Sequence, residues 1–296
     1  VIGPRDLRGL WGFALTPFAG DGIDEVAYRA GVRGLVEGRA DVVIAAGTLG
    51  QGDRMTAEER RRCVAVAANE VVGAVPVLGV IVADETAGTA AAALVDAGAD
   101  GALVLPMSGE PSSMAASVDA IGRATGGALP VVVYQRGDLR FEPGTLRELA
   151  ERPSMIGLKD AHGDLRRFRR LREAVGDRLV WVGASEDLAV AYRTHGADAV
   201  SPASLAYQPA YARRYWAALD DGDVTEAVRL LRGFAWPVTD LRYSRPDIEI
   251  SVVREFARVF GHAVGDLRRP AQALDDAEVR EVGRLAAGLD SLLAGA

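Results

Sequence analysis

Eight short runs of apolar, mostly β-branched residues recur along the 296 residues at intervals that fit an intervening helix. They are LWGFALT (10–16), DVVIAAG (41–47), VPVLGVI (75–81), GALVLP (101–106), PVVVYQ (130–135), MIGLKD (155–160), LVWVGAS (179–185) and ADAVSP (197–202). Between them lie amphipathic stretches rich in Ala, Arg and Glu, at 24–38, 56–72, 86–97, 112–125, 143–151, 164–175 and 186–195. Parallel strands need a crossover and a helix supplies it, so strand then helix, repeated, predicts a parallel sheet. The runs are apolar on both faces, as strands covered by helices are, and eight such units predict an α/β fold of the (β/α)8, or TIM-barrel, type. An open doubly wound sheet would carry a Gly-rich fingerprint after its first strand. The sequence there, ALTPFAGDG, is not G-x-G-x-x-G.

Local signals set the boundaries. Thr56-Ala57-Glu58-Glu59 is a capping box, which makes GTLGQGDRM the loop after the second strand. Beyond residue 205 the strand signals stop, and helical patterns follow at 210–219, 223–235, 248–260 and 275–294. WPV at 236–238 and the loop containing Arg268, Arg269 and Pro270 are expected to interrupt them. The expected division is a barrel over 1–212 that carries the active site and a C-terminal helical region over 213–296.

Charge and composition exclude several functions. With 41 acidic against 34 basic side chains, scattered rather than gathered, the chain offers no basic stripe for nucleic acid. No apolar run approaches the roughly 18–20 residues of a membrane span, and VIGPRDLRGLW lacks the layout of a secretory leader, so a cytoplasmic protein is expected. Residue 1 is valine, which fits numbering that follows processing. One cysteine (Cys63) and three scattered histidines (His162, His195, His262) form no recognisable metal-ligand spacing, and nothing calls for an organic cofactor.

Of the 34 basic residues 33 are arginine, and the single lysine is Lys159. A position that keeps lysine against that bias suggests chemistry closed to a guanidinium, since an amine can deprotonate and attack a carbonyl. Barrel active sites form at the C-terminal ends of the strands, and Lys159 falls there. Inside an apolar strand its charged form would be penalised and its pKa lowered. Tyr134 ends the adjacent strand, within reach for proton relay. The GTLG turn offers successive backbone amides that can hold a carboxylate. Arg136 can pair with a second carboxylate. Gly183 and Ser185 follow strand seven and Ser201 follows strand eight. Asp160 should point away from the barrel interior if Lys159 points in, and His195 sits at a helix end.

On these residues the chain resembles the class I, Schiff-base-forming barrel family that includes dihydrodipicolinate synthase and N-acetylneuraminate lyase. It is most similar to the 5-dehydro-4-deoxyglucarate dehydratase branch, through VVVYQR (131–136), GLKDAHGD (157–164), SPASLAYQP (201–209) and GDLRRP (265–270). The resemblance implies that Lys159 forms an iminium with a 2-oxo acid, that Tyr134 relays protons, and that Gly47, Thr48 and the Leu49 amide bind the carboxylate beside the keto group. It also implies a homotetramer or homodimer. Leu49, Gly50 and Gln51 stand where many members have a second threonine and then Gly-Glu. LPMSGEP (105–111) lacks a tyrosine often found there, and Gln135 replaces the commoner asparagine. Loss of two relay hydroxyls argues against dihydrodipicolinate synthesis. The expected activity is dehydration of a deoxy-oxo sugar acid, to which the branch adds decarboxylation. Arg136 would hold the distal carboxylate, and Ser185 and Ser201 would contact substrate hydroxyls. A pyruvate-dependent aldolase and a non-catalytic 2-oxo-acid-binding protein remain the alternatives.

Overall fold

The computed structural model describes residues 1–295 and is a closed parallel barrel. Its strands are β1 (Gly9–Phe13), β2 (Val42–Ala45), β3 (Val77–Ala83), β4 (Gly101–Pro106), β5 (Val131–Gln135), β6 (Met155–Asp160), β7 (Val180–Gly183) and β8 (Ala199–Val200). Each pairs in parallel with its sequence neighbours, and β8 closes on β1 through Gly9–Ala199 and Leu10–Val200. The first strand is shorter than expected: after the Ala14 amide bonds the Ile44 carbonyl, Leu15 and Thr16 leave the ladder, and a small hairpin (Phe18–Ala19 with Gly22–Ile23) follows.

Alternation along the strands sorts side chains into two layers. Trp11, Phe13, Val42, Ile44, Val132, Val180 and Val182 fill the barrel, and the opposite faces pack against the helices. The helices are α1 (Glu25–Glu37), α2 (Ala57–Val71), α3 (Ala87–Asp96), α4 (Pro111–Thr125), α5 (Pro143–Leu149), α6 (Leu165–Val175) and α7 (Ala189–Thr194). The capping box at Thr56 and Glu59 forms as read from the sequence, and Asp24 and Asp164 cap α1 and α6. The seventh helix begins later than the expected residue 186, which frees Glu186 and Asp187 to turn towards the barrel mouth.

The C-terminal region consists of α8 (Pro209–Asp220), α9 (Val224–Leu230), α10 (Trp236–Arg242), α11 (Glu249–Val259) and α12 (Asp276–Ala294). Helix α8 runs unbroken through residue 212, and the aromatic rings of Tyr207, Tyr211, Phe234 and Phe256 pack this region into the same apolar layer that covers the barrel. The expected interruption at WPV does not occur. Between α9 and α10 the chain makes a π turn over Leu231–Ala235, with the Trp236 amide bonding to the Leu231 carbonyl. The wider turn carries the helix past Pro237, whose nitrogen has no hydrogen to donate. Among the described residues no helix is long and apolar enough to cross a membrane.

Candidate active site

Strand β6 departs from simple alternation at one place, and that departure aims the lysine. Val131 pairs with Met155, but the next residue of β5, Val132, pairs with Gly157, so Ile156 is an extra residue in the strand. Counted strictly from Met155, which faces the helices, Lys159 would face them too. The bulge shifts the frame by one. Gly157 then faces inward, Leu158 outward, and Lys159 inward opposite Tyr134. Gly157 has to lack a side chain: a Cβ there would stand 2.6 Å from Val180 and 2.9 Å from Val132.

Lys159 is 3% exposed, with its Nζ 4.2 Å from the Phe13 ring centroid and 4.5 Å from that of Tyr134. Burial, and secondarily the positive charge of Arg136, bring its pKa down to about 7. Among the described residues no carboxylate makes an ion pair with it, and its neighbouring charge is the cation Arg136. The Tyr134 phenol is pushed up to about 12 by burial, opposed by Arg136, so it remains protonated and able to donate at neutral pH. Arg136 lies 5.4 Å over the Tyr134 ring and donates to the Thr48 hydroxyl at 3.2 Å. Thr48, Leu49 and Gly50 form a tight turn entered from Gly47. Glycine is required at 47 by packing, because a Cβ would meet the Phe13 ring at 2.6 Å. The amides of Thr48 and Leu49, at the start of this turn, have no backbone acceptor among the described residues.

A cavity of about 540 Å³ opens above these groups. Thr48, Leu49, Tyr134, Arg136 and Lys159 line it together with Ser185 and Ser201. The Ser201 hydroxyl donates to the Ala184 carbonyl at 3.3 Å, and that of Ser185 to the Asp187 carboxylate. Gly183 is not in this group. It pairs with Asp160 on the outer face of the barrel, where a Cβ would run into the Tyr192 ring at 2.7 Å. Asp160 points outward as expected. Its carboxylate accepts from Gln135 Nε2 at 2.6 Å and from the Tyr192 hydroxyl at 2.5 Å, and Gln135 Oε1 accepts the Phe141 amide at 2.7 Å. This buried network fixes the two strand ends on which Tyr134 and Lys159 stand. The ring of His195 bonds the Ala191 carbonyl at 2.8 Å, at the end of α7 and outside the cavity.

Other residues of the cavity were not anticipated. Glu186 and Asp187 enter it just past β7, where the rule that places barrel sites could have marked them. Burial pushes the Glu186 carboxyl up, partly opposed by the Ser204 hydroxyl and amide that bond it. Arg242 and Tyr243 reach the cavity from α10 and the turn after it, with no signal in the sequence. The GDLRRP loop forms its rim through Pro270. Gln51 ties that loop down by exchanging hydrogen bonds with the Arg268 backbone, at 2.7 and 3.2 Å.

A parallel barrel with one desolvated, near-neutral amine at its C-terminal mouth, ringed by hydroxyls, free amides and arginines, defines a class of carbonyl-handling barrel. The chain belongs to the dihydrodipicolinate synthetase family, whose model matches residues 6–288, and it is an enzyme of that lyase and dehydratase family. It is 35% identical to a probable 5-dehydro-4-deoxyglucarate dehydratase of Streptomyces griseus, over 98% of this chain and 94% of the relative. To a protein described in the same words from Ralstonia nicotianae it is 33% identical, over 94% of this chain and 92% of the relative. Among solved structures, dihydrodipicolinate synthase from Bacillus clausii superposes with a TM-score of 0.89 at 23% identity, covering 97% of this chain and 99% of that one.

Proposed function

We propose that the enzyme is a lyase that joins Lys159 to a 2-oxo acid as a Schiff base and dehydrates a deoxy-oxo sugar acid such as 5-dehydro-4-deoxyglucarate. The observation that carries this reading is the setting of Lys159: the only lysine of the chain, buried, with its pKa brought down to about 7, facing the cavity beside Tyr134. The names of the relatives favour dehydration over aldol cleavage.

In this reading the neutral Nζ adds to the keto carbon, and the carbinolamine loses its hydroxyl as water, with Tyr134 passing the proton. The positive iminium acidifies the neighbouring carbon. Loss of that proton gives an enamine, whose electrons expel the β-hydroxyl as a second water. Decarboxylation is the step that the dehydratase branch adds. Thr48 and the Leu49 amide hold the carboxylate next to the keto group, at the turn entered from Gly47. Arg136 holds the distal carboxylate, and Ser185 and Ser201 meet substrate hydroxyls. The barrel, residues 1–212, supplies the reacting groups, and the region 213–296 closes the cavity.

Borohydride reduction in the presence of 5-dehydro-4-deoxyglucarate, followed by peptide mapping, tests the proposal. A substrate-dependent mass increment on Lys159, absent from Lys159→Arg together with all turnover, is the expected result. Appreciable turnover by Lys159→Arg would overturn it.

A further inference from the structure

Arg242 is the arginine of the C-terminal region that lines the cavity among the described residues. Arg229, Arg245, Arg258 and Arg268 are each paired with a glutamate. Arg242, partly buried, makes no ion pair or hydrogen bond among the described residues, and its Nε is buried with no partner at all. Its guanidinium carbon lies 5.6 Å from the Tyr243 ring centroid, and it lines the same cavity as Lys159. Of the acids that line the cavity, Glu186 bonds Ser204, Asp187 bonds Ser185 and Asp53 pairs with Arg54, and Asp247 and Glu249 make no ion pair with Arg242. A guanidinium with a buried, unpartnered nitrogen and no ion pair is costly to hold, and its place on a cavity wall points to an anion that arrives with the ligand.

Both Arg136 and Arg242 act on the Tyr134 phenol, from the barrel side and the helical side respectively, and Arg242 acts on the Glu186 carboxyl as well. The cavity therefore has one guanidinium, Arg136, beside the Thr48 turn and a second, Arg242, on the wall that α10 supplies. The position of Arg242 depends on the π turn at Leu231–Ala235, which sets which face of α10 meets the barrel mouth.

We propose that Arg242 is a specificity-determining residue that binds the distal carboxylate of the 2-oxo acid jointly with Arg136, so that the enzyme selects 2-oxo diacids over 2-oxo monoacids. This rests on the reading that Lys159 takes a 2-oxo acid. Two arginines clamp a carboxylate by charge-assisted bonds, whereas a chain ending in a methyl group leaves both charges desolvated and unpaired.

The test compares 2-oxoadipate with 2-oxohexanoate, which have the same six-carbon length and differ in the distal carboxylate. Half-saturation of borohydride trapping on Lys159 is measured for the wild type, Arg242→Gln and Arg242→Lys. The expected result is a rise of about 10–100-fold for the diacid in Arg242→Gln, a smaller rise in Arg242→Lys, and no rise for the monoacid. An equal change for both acids, or no change for the diacid, overturns the proposal. If the wild type traps neither acid, the iminium reading fails on its own account. Calorimetric titration of Lys159→Ala with 2-oxoadipate, with and without Arg242→Gln, then decides the clamp. Tenfold or weaker binding in the double variant supports it, and equal or undetectable binding in both overturns it.

Discussion

Because the Lys159 amine is buried to a pKa of about 7, about half of it is neutral at neutral pH, whereas an ordinary lysine would be almost wholly protonated. The rate of iminium trapping should therefore climb about tenfold per pH unit up to 7 and level off above it, which a pH series of borohydride reductions measures. The same burial acts on stability. Between pH 7 and 10.5 the unfolded chain keeps a proton on this lysine that the folded chain has lost, so the lysine's cost to stability shrinks as pH rises through that window and is greatest below 7. Lys159→Met should be inactive yet more stable by about 1–2 kcal/mol at pH 6, with a smaller gain at pH 9, as read from urea midpoints. This residue could be read from the sequence because arginine stands at every other basic position. Gly183 could not be read correctly. Its place at a strand end suggested the site, but alternation turns it onto Tyr192, and composition alone does not reveal which face a terminal strand residue takes.

Strand β6 is the element on which geometry and chemistry meet. The extra residue Ile156 puts two successive residues, Ile156 and Gly157, on the inner side, and only the missing side chain at 157 makes room for both. Gly157→Ala should crowd Val132 and Val180 and cost about 1–3 kcal/mol in denaturant unfolding, with slower iminium trapping because the lysine two residues on is displaced. That all eight strands exist was plain from the recurring apolar runs. The bulge was not, because MIGLKD is apolar on both faces and so carries no alternation from which a slipped frame could be noticed. The π turn was hidden for a related reason: Pro237 reads as a break unless the preceding turn widens to take it in.

Across the whole molecule, the late loop is fastened to the barrel by Arg268, whose guanidinium makes a two-point pair with Glu59 at 2.6 and 2.9 Å and lies 3.9 Å from the centroid of the Phe18 ring. Arg268 holds the Glu59 carboxyl down to about 2, from an ordinary 4.5. That contribution to stability is complete above pH 4.5 and is lost as pH falls towards 2. Arg268→Gln should be less stable than wild type at pH 7, and the difference should close on acidification through that window, as followed by thermal melts at stepped pH. The wall that this loop adjoins is carried by α10, downstream of the π turn. A π turn widens to take in one more residue, whereas a residue added within a regular α-helix rotates everything beyond it by about 100°. Gain or loss of a single residue between α9 and α10 that no such turn absorbs would thus replace Arg242 at the cavity with another face of α10 and leave every strand motif intact. Relatives that share the GLKD strand but differ in length between α9 and α10 are expected to accept different acids, which trapping with a panel of 2-oxo acids measures.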